Sequence, residues 1–298
     1  MKRVLVVLVL LIIAAIAGLM RTHSRANSSA NPSSAAGSAS NGDAREEIRR
    51  SYQLPPNAQV TIAGINGKVE IQTSETDTAE VYVLRTADSR DSLDRRRVVI
   101  EQTPSSLTVR AESNHVSFWA RFCAHLWGRN PNEEVTIKAP RRIALLVKGI
   151  NGRVNSGEVD GPVEAKGING RVELGQVKGS VKVSGVNGNI SVGLKDLDLP
   201  GVQVSGINGS IELRLANGVN ADLVAKGMNG RVRSEIPEVT VDKGDYSSGY
   251  SARIGTGGAP INVSGINGNV LLTRLVVAAN QDKTSAEKKS SANAKSAL

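Results

Sequence analysis

The sequence predicts an all-β fold whose short units stack as a solenoid, and three observations carry that expectation. The tetrapeptide Gly-Ile-Asn-Gly, with Val or Met allowed at its second place, starts at Gly64, Gly149, Gly167, Gly185, Gly206, Gly227 and Gly265. Alternating apolar and polar residues flank the copies, as in Val163-Glu164-Ala165-Lys166 before one corner and Arg171-Val172-Glu173-Leu174 after it, the period-two pattern of a half-buried strand. The starts from Gly149 to Gly227 step by 18, 18, 21 and 21 residues, within the range of repeat architectures. The step from Gly227 to Gly265 is 38, close to two repeats, and reads as one decayed copy.

Asn-Gly tolerates positive φ well, because Gly has no Cβ and Asn hydrogen-bonds its own backbone in the left-handed region. The motif is therefore a corner. Asn-Gly can close a two-residue hairpin, or it can turn one unit of a solenoid. A fixed register from copy to copy favours the solenoid, which buries its core only by stacking like on like. Asn66, Asn151, Asn169, Asn187, Asn208, Asn229 and Asn267 are then structural turn residues, and stacking sets those of successive repeats in a column whose amides bond along it.

Taken in order, the chain opens with Lys2 and Arg3 before an apolar run from Val4 that extends through Met20. Residues 1–20 have the form of a secretory signal, with Ala15-Ile16-Ala17 as a cleavage site, or of a retained membrane-spanning anchor at the lower length limit for crossing a bilayer. Residues 21–45 are mostly small and polar, forming no core, and read as a disordered linker. Residues 46–147 read as irregular N-terminal β units or a cap. Strands are expected there at 59–63, 68–73, 80–85, 97–102, 106–112, 134–139 and 143–147.

Inside that region, residues 115–129 hold both Trp and both Phe of the chain. Phe118, Phe122 and Leu126 fall on one helical face with Trp119 and Cys123 beside it, so a short inserted amphipathic helix is expected. Phe118, Trp119, Phe122 and Trp127 either plug an open end of the stack or form an interfacial tip that meets a membrane or a partner. Regular repeats fill residues 148–277, and residues 278–298 read as a disordered Lys, Ser and Ala tail.

Aromatic residues make up 3% of the chain, so Val, Ile and Leu must carry a thin core. The formal charge of +9 is drawn partly from the two ends, including Arg21, Arg25, Lys288 and Lys289. No aromatic and basic residues interleave for base stacking, so nucleic acid is not an expected partner; an anionic surface is. The single cysteine, Cys123, excludes an intramolecular disulfide.

Function must then be sought beside the motif. Three copies read Lys-Gly-x-Asn-Gly-Arg, giving Lys148 with Arg153, Lys166 with Arg171, and Lys226 with Arg231; three read Ser before and Asn or Ser after. Stacked about 4.8 Å apart, the basic flanks form a cationic ridge able to bind phosphate or carboxylate groups of a surface polymer, a lipid or an envelope protein. On the other reading they form a solvated face in which Glu164 and Glu173 offset Lys166 and Arg171. Asp196 and Asp198 are paired carboxylates of the kind used in hydrolysis, but Pro200 and Gly201 follow at once and a turn accounts for them. His23, His115 and His125 lie outside the regular repeats, no His/Cys spacing fits a metal, and Gly255-Thr256-Gly257-Gly258 lacks the Lys-Ser/Thr ending of a phosphate loop. No catalytic residue, metal or cofactor is expected.

The repeated tetrapeptide, set in runs such as Val181-Lys182-Val183-Ser184-Gly185-Val186-Asn187-Gly188-Asn189-Ile190-Ser191-Val192, resembles the bacterial β-strand-repeat adhesin family of the head-GIN type, over residues 59–275. The resemblance implies a right-handed parallel β-helix or β-roll in the bacterial cell envelope with a binding or scaffolding role. Some members are linked to envelope stress or antimicrobial-peptide sensing, and the family has no catalytic residues to carry over. The aromatic insert departs from its pattern. The expectation is a non-catalytic, extracytoplasmic module, membrane-anchored or secreted. An envelope-stress sensor and a polysaccharide-active β-helix enzyme are the other classes.

Overall fold

Each motif copy takes the chain round a corner, and the work is divided among its four residues. The first glycine holds φ between 61° and 70°, and the second between 143° and 156°. The residue between glycine and asparagine, Ile65, Ile150, Ile168, Val186, Ile207, Met228 or Ile266, is buried. The asparagine is not left-handed: among the described residues only Asn57 is a non-glycine with positive φ. This corrects the expectation for the Asn-Gly pair. Two glycines already supply the special backbone angles, which frees the Asn amide for other bonds.

The computed structural model describes residues 44–113, 131–244 and 249–276. The expected N-terminal helix, the linker to residue 43, the aromatic helix and the tail from residue 278 lie outside them. Among the described residues no helix is long and apolar enough to cross a membrane. The strands begin with β1 (Ala44–Gln53), β2 (Ala58–Ala63), β3 (Asn66–Ser74), β4 (Thr78–Ala87), β5 (Arg96–Thr103), β6 (Ser106–Ser113) and β7 (Asn132–Pro140). They continue with β8 (Ile143–Lys148), β9 (Asn151–Val159), β10 (Val163–Lys178), β11 (Val181–Asn187), β12 (Ile190–Asp196), β13 (Val202–Asn208) and β14 (Ile211–Leu215). The last are β15 (Ala221–Asn229), β16 (Val232–Ser234), β17 (Val241–Lys243), β18 (Tyr250–Ile254), β19 (Ala259–Asn267) and β20 (Val270–Arg274). A short helix, α1 (Arg90–Asp94), has no counterpart in the sequence expectation; Ser89 caps it by accepting from the Ser92 amide at 3.3 Å.

All these strands belong to one 20-stranded sheet. Strands that approach the corners pair in parallel in the order β6, β2, β8, β10, β11, β13, β19, β15. Strands that leave them pair in parallel as β7, β3, β9, β10, β12, β14, β20, β16. β10 serves both ladders because it runs through its own corner. Inward residues such as Val163, Ala165, Val172 and Leu174 are fully buried in one continuous cluster of Val, Ile, Leu and Ala.

The order of units in the stack is not their order in the chain. The Gly265 unit lies between the Gly206 unit and the Gly227 unit. Among its described residues the 38-residue step therefore adds no further unit to the two parallel ladders. Part of it forms β17 and β18, which pair antiparallel outside β15, and the chain then returns to lay β19 between β13 and β15. A clamp sets the return: Asp222 accepts from the Gly258 amide at 3.0 Å and from Arg253 Nε at 3.2 Å, and Asn220 accepts from the Thr256 amide at 2.9 Å. At the other end the same overshoot occurs. β6 and β7 stack outside β2 and β3, with residues 114–131 standing in the chain where other units have the motif. β5 covers β6, β4 covers β7 and β1 covers β4, all antiparallel.

Two outcomes follow. A Cβ on Gly170 would stand 1.8 Å from the Gly152 oxygen, whereas one on Gly167 comes no nearer than 3.7 Å to the adjacent backbone. Gly170→Ala should therefore cost upwards of about 3 kcal/mol or prevent folding, while Gly167→Ala costs about 1–2 kcal/mol, the strain of a left-handed alanine; urea midpoints would separate them. The second concerns Asp222, whose carboxyl is held below the ordinary value of 3.8 by the Gly258 amide and then by Arg253. A lowered folded-state pKa stabilises fully above the ordinary value and is lost as pH falls through the lowered one. The stability gap between wild type and Asp222→Asn should thus be constant near neutral pH and close below about pH 3.8, measured by denaturant titration across that range.

Candidate functional site

The seven motif asparagines form one hydrogen-bonded column. Asn151 donates through Nδ2 to Asn66 Oδ1, and Asn169, Asn187, Asn208, Asn267 and Asn229 continue it in stack order at 2.8–3.3 Å. On either side of this column stand the residues that flank the motif. Before it the register reads Ala63, Lys148, Lys166, Ser184, Ser205, Ser264, Lys226. After it the register reads Lys68, Arg153, Arg171, Asn189, Ser210, Asn269, Arg231.

The fold thus brings Lys148 beside Lys166 and Arg153 beside Arg171, and it separates Lys226 and Arg231 from them by the neutral units of Gly185, Gly206 and Gly265. It also adds Lys68, which the sequence pattern missed because Ala63, not Lys, precedes the first copy. Lys68, Arg153 and Arg171 line a notch of about 450 Å³ with Gly67, Gly152, Asn132 and Glu134. Arg171 also borders a larger groove of about 780 Å³ that includes Glu173, Ser191, Glu212, Arg214 and Arg233.

Charge in the notch is partly offset. Lys68 Nζ lies 2.5 Å from Glu70, and that contact, then a bond from Gln72, holds the Glu70 carboxyl below its ordinary value. Arg171 reaches Glu173 at 3.5 Å and Lys166 reaches Glu164 at 3.2 Å, all on half-exposed side chains where such pairs are worth at most about 1 kcal/mol. Among the described residues Arg153 and Lys148 have no ion pair. The three cations outnumber Glu134 in the notch.

One wall is built by a buried charge. Asn66 begins the column, so no motif unit supplies the Ile carbonyl that accepts from the Asn151 amide at 2.9 Å and the Asn169 amide at 2.8 Å elsewhere. Glu133, fully buried on β7, takes that place: its Oε2 accepts from the Asn66 amide at 3.0 Å, and Pro131 O accepts from Asn66 Nδ2 at 2.9 Å. Arg96 Nε donates to Glu133 at 2.7 Å and its Nη2 donates to the Gly64 carbonyl. Side chains here copy what the next corner's backbone would provide. Asn132 and Glu134, on either side of Glu133, face the notch.

Of the other sequence candidates, Asp196 accepts from the Leu197 amide at 2.9 Å, and neither it nor Asp198 lines the notch or the groove. Among the described residues no three His, Cys, Asp or Glu side chains cluster as metal ligands would. Phe118, Trp119, Phe122 and Trp127 lie outside the described residues.

No family model matches the chain, and no curated protein matches it. Among solved structures, a candidate cell adhesion protein of Clostridium sporogenes aligns with 77% of this chain and 100% of its own length, at 10% identity and a TM-score of 0.35. A candidate adhesin of Parabacteroides merdae aligns with 77% of this chain and 97% of its own, at 12% identity and a TM-score of 0.27. A candidate lipid binding protein of Parabacteroides distasonis aligns with 76% and 97%, at 11% identity and a TM-score of 0.26.

Removing the Glu133 carboxylate leaves Arg96 and the Asn66 amide without their partner, so Glu133→Ala should cost about 3 kcal/mol, with Glu133→Gln costing less because it keeps an acceptor. Thermal and urea unfolding of the two variants would check the order.

Proposed function

We propose that the chain is a non-catalytic binding module of the bacterial cell envelope that holds an anionic surface polymer in the notch of Lys68, Arg153 and Arg171. In this reading the two parallel ladders are faces of one right-handed β-helix or β-roll, and the apolar run of residues 1–20 delivers the module to the extracytoplasmic side, by anchoring it or by export. The observation that carries the reading is the register: it sets three cations on successive rungs, one of them with no acid partner, beside a groove that continues from Arg171. Rungs about 4.8 Å apart suit a chain of phosphate or carboxylate groups better than a single small anion. Lys148 and Lys166 add positive potential across the Asn column, whereas Lys226 and Arg231 stand behind three neutral units and take no part.

The test is titration of the full chain, solubilised in non-ionic detergent, with a polyuronate and with a neutral glucan of equal length. The polyuronate should bind, more weakly as salt rises, and Arg153→Ala with Arg171→Ala should weaken it roughly tenfold while Lys226→Ala leaves it unchanged. Equal loss in all variants, or equal binding of the neutral glucan, would sink the reading.

A further inference from the structure

β1 is a bare edge. It pairs with β4 along its whole length, from Ala44 opposite Ala87 to Gln53 opposite Thr78, and with no described strand on its other side. Exposed edges that long invite pairing, and proteins blunt them with proline, with bulges or with charged side chains, which repel a second edge where like signs meet. β1 has no proline or glycine, its register with β4 has no bulge, and its charges are of both signs: Ala-Arg-Glu-Glu-Ile-Arg-Arg-Ser-Tyr-Gln.

The order of those charges is self-complementary about Ile48. Antiparallel pairing about a dyad perpendicular to the sheet keeps like faces together, so residues of equal parity oppose each other. With the dyad at Ile48, Glu46 faces Arg50 of the partner subunit and Glu47 faces Arg49 of the partner subunit, each pair occurring twice. Ala44 then faces Tyr52 of the partner subunit, and Arg45 faces Ser51 of the partner subunit. A dyad at Glu46, Glu47, Arg49 or Arg50 instead sets that residue against its own charge, and parallel pairing in register sets every charge against itself. Only one register near the strand's centre is free of like-charge contacts, which cross-strand pairing penalises.

The single chain leaves the two arginines ready for it, whereas Glu47 is shared with Arg45 at 2.5 Å. Among the described residues Arg50 has no acid partner, Arg49 comes no nearer to Glu47 than 3.7 Å, and the Arg49 side chain is 77% exposed while it stacks over the Tyr82 ring at 4.9 Å. On the face that Arg50 shares, Ile48 and Tyr52 pack against the core and Glu46 is held by the buried Arg85. The strand's position is therefore set before a partner arrives.

We propose that the β1 edge is an interface with a second copy of this chain, β1 against β1 about the dyad at Ile48, joining two sheets into one. The two copies are identical and the contact is isologous, so the assembly closes as a dimer and does not extend.

Sedimentation of the full chain in non-ionic detergent tests this, using exposed Glu47 and Arg49 and leaving Glu46, which holds Arg85, untouched. Wild type should be dimeric, and Glu47→Arg and Arg49→Glu should each raise the dissociation constant roughly tenfold or more. An equimolar mixture of the two variants should recover the dimer, because each supplies the sign the other lacks. A monomeric wild type at about 100 µM, the upper end of the micromolar range expected of a modest interface, would overturn the proposal. So would variants that dimerise as well as wild type, or a mixture that stays monomeric while circular dichroism shows both variants folded.

Discussion

At the second glycine of each motif, the carbonyl of one unit stands where the side chain of the next would begin. The separation from a Cβ would be 1.8–2.1 Å along most of the stack, with backbone as the obstacle, so nothing can give way. That approach lets the Asn amides meet at 2.8–3.3 Å across seven units. Register follows from the two together. A slip by one residue would drive a Cβ into a carbonyl, break the amide column and turn the buried Ile outwards.

Stacked identical units leave one question open, which is how the stack ends. A parallel ladder presents a bare edge at each end, and this chain solves it by overshooting. At the C-terminal end it lays an outer unit, turns back antiparallel to cover that unit's edge, and then inserts the next unit inside; at the N-terminal end it lays the inner Gly64 unit and the antiparallel covers first and the outer unit after them. β15 is covered by β18 before β19 enters, and β6 and β7 are covered by β5 and β4 around the Gly64 unit. Neither outermost unit is a chain end, so neither can fray without disturbing the units inside it. Among the described residues the antiparallel covers move the edges outward to β5, β17 and β1, the last of which carries charges of both signs.

Periodic features were legible in the sequence and singular ones were not. The seven strands expected between residues 59 and 147 are all present to within two residues at each end, because alternation and turn residues mark them directly. β1 was missed since only Ile48 and Tyr52 relieve its charges. A residue count cannot distinguish a decayed unit from an excursion, so the 38-residue step misled. Propensity assigned positive φ to Asn, whereas two glycines close by left Asn free to bond along the stack. Glu133 gave no signal, because its partners Arg96 and Asn66 lie 37 and 67 residues away. For the site, the pairing of Arg153 with Arg171 could be read from the repeat; Lys68 needed the register.

The residue after the motif shows what the basic units give up. Where it is Asn, it serves the stack: Asn189 Oδ1 accepts from the Ser210 amide and Asn269 Oδ1 from the Arg231 amide, each at 3.1 Å. Each such bond is worth about 1 kcal/mol. Where it is Arg153 or Arg171, no bond to the next unit's backbone forms, and two guanidiniums on adjacent rungs repel instead. An asparagine would fit those positions, as the neutral units prove, and would stabilise the stack on both counts. Repulsion is tolerable because the side chains are exposed and screened, but tolerance is not a reason for arginine. The stack gains little from cations here beyond exposed pairs such as Arg171 with Glu173, and under the proposed function their placement on consecutive rungs serves a row of negative groups outside it.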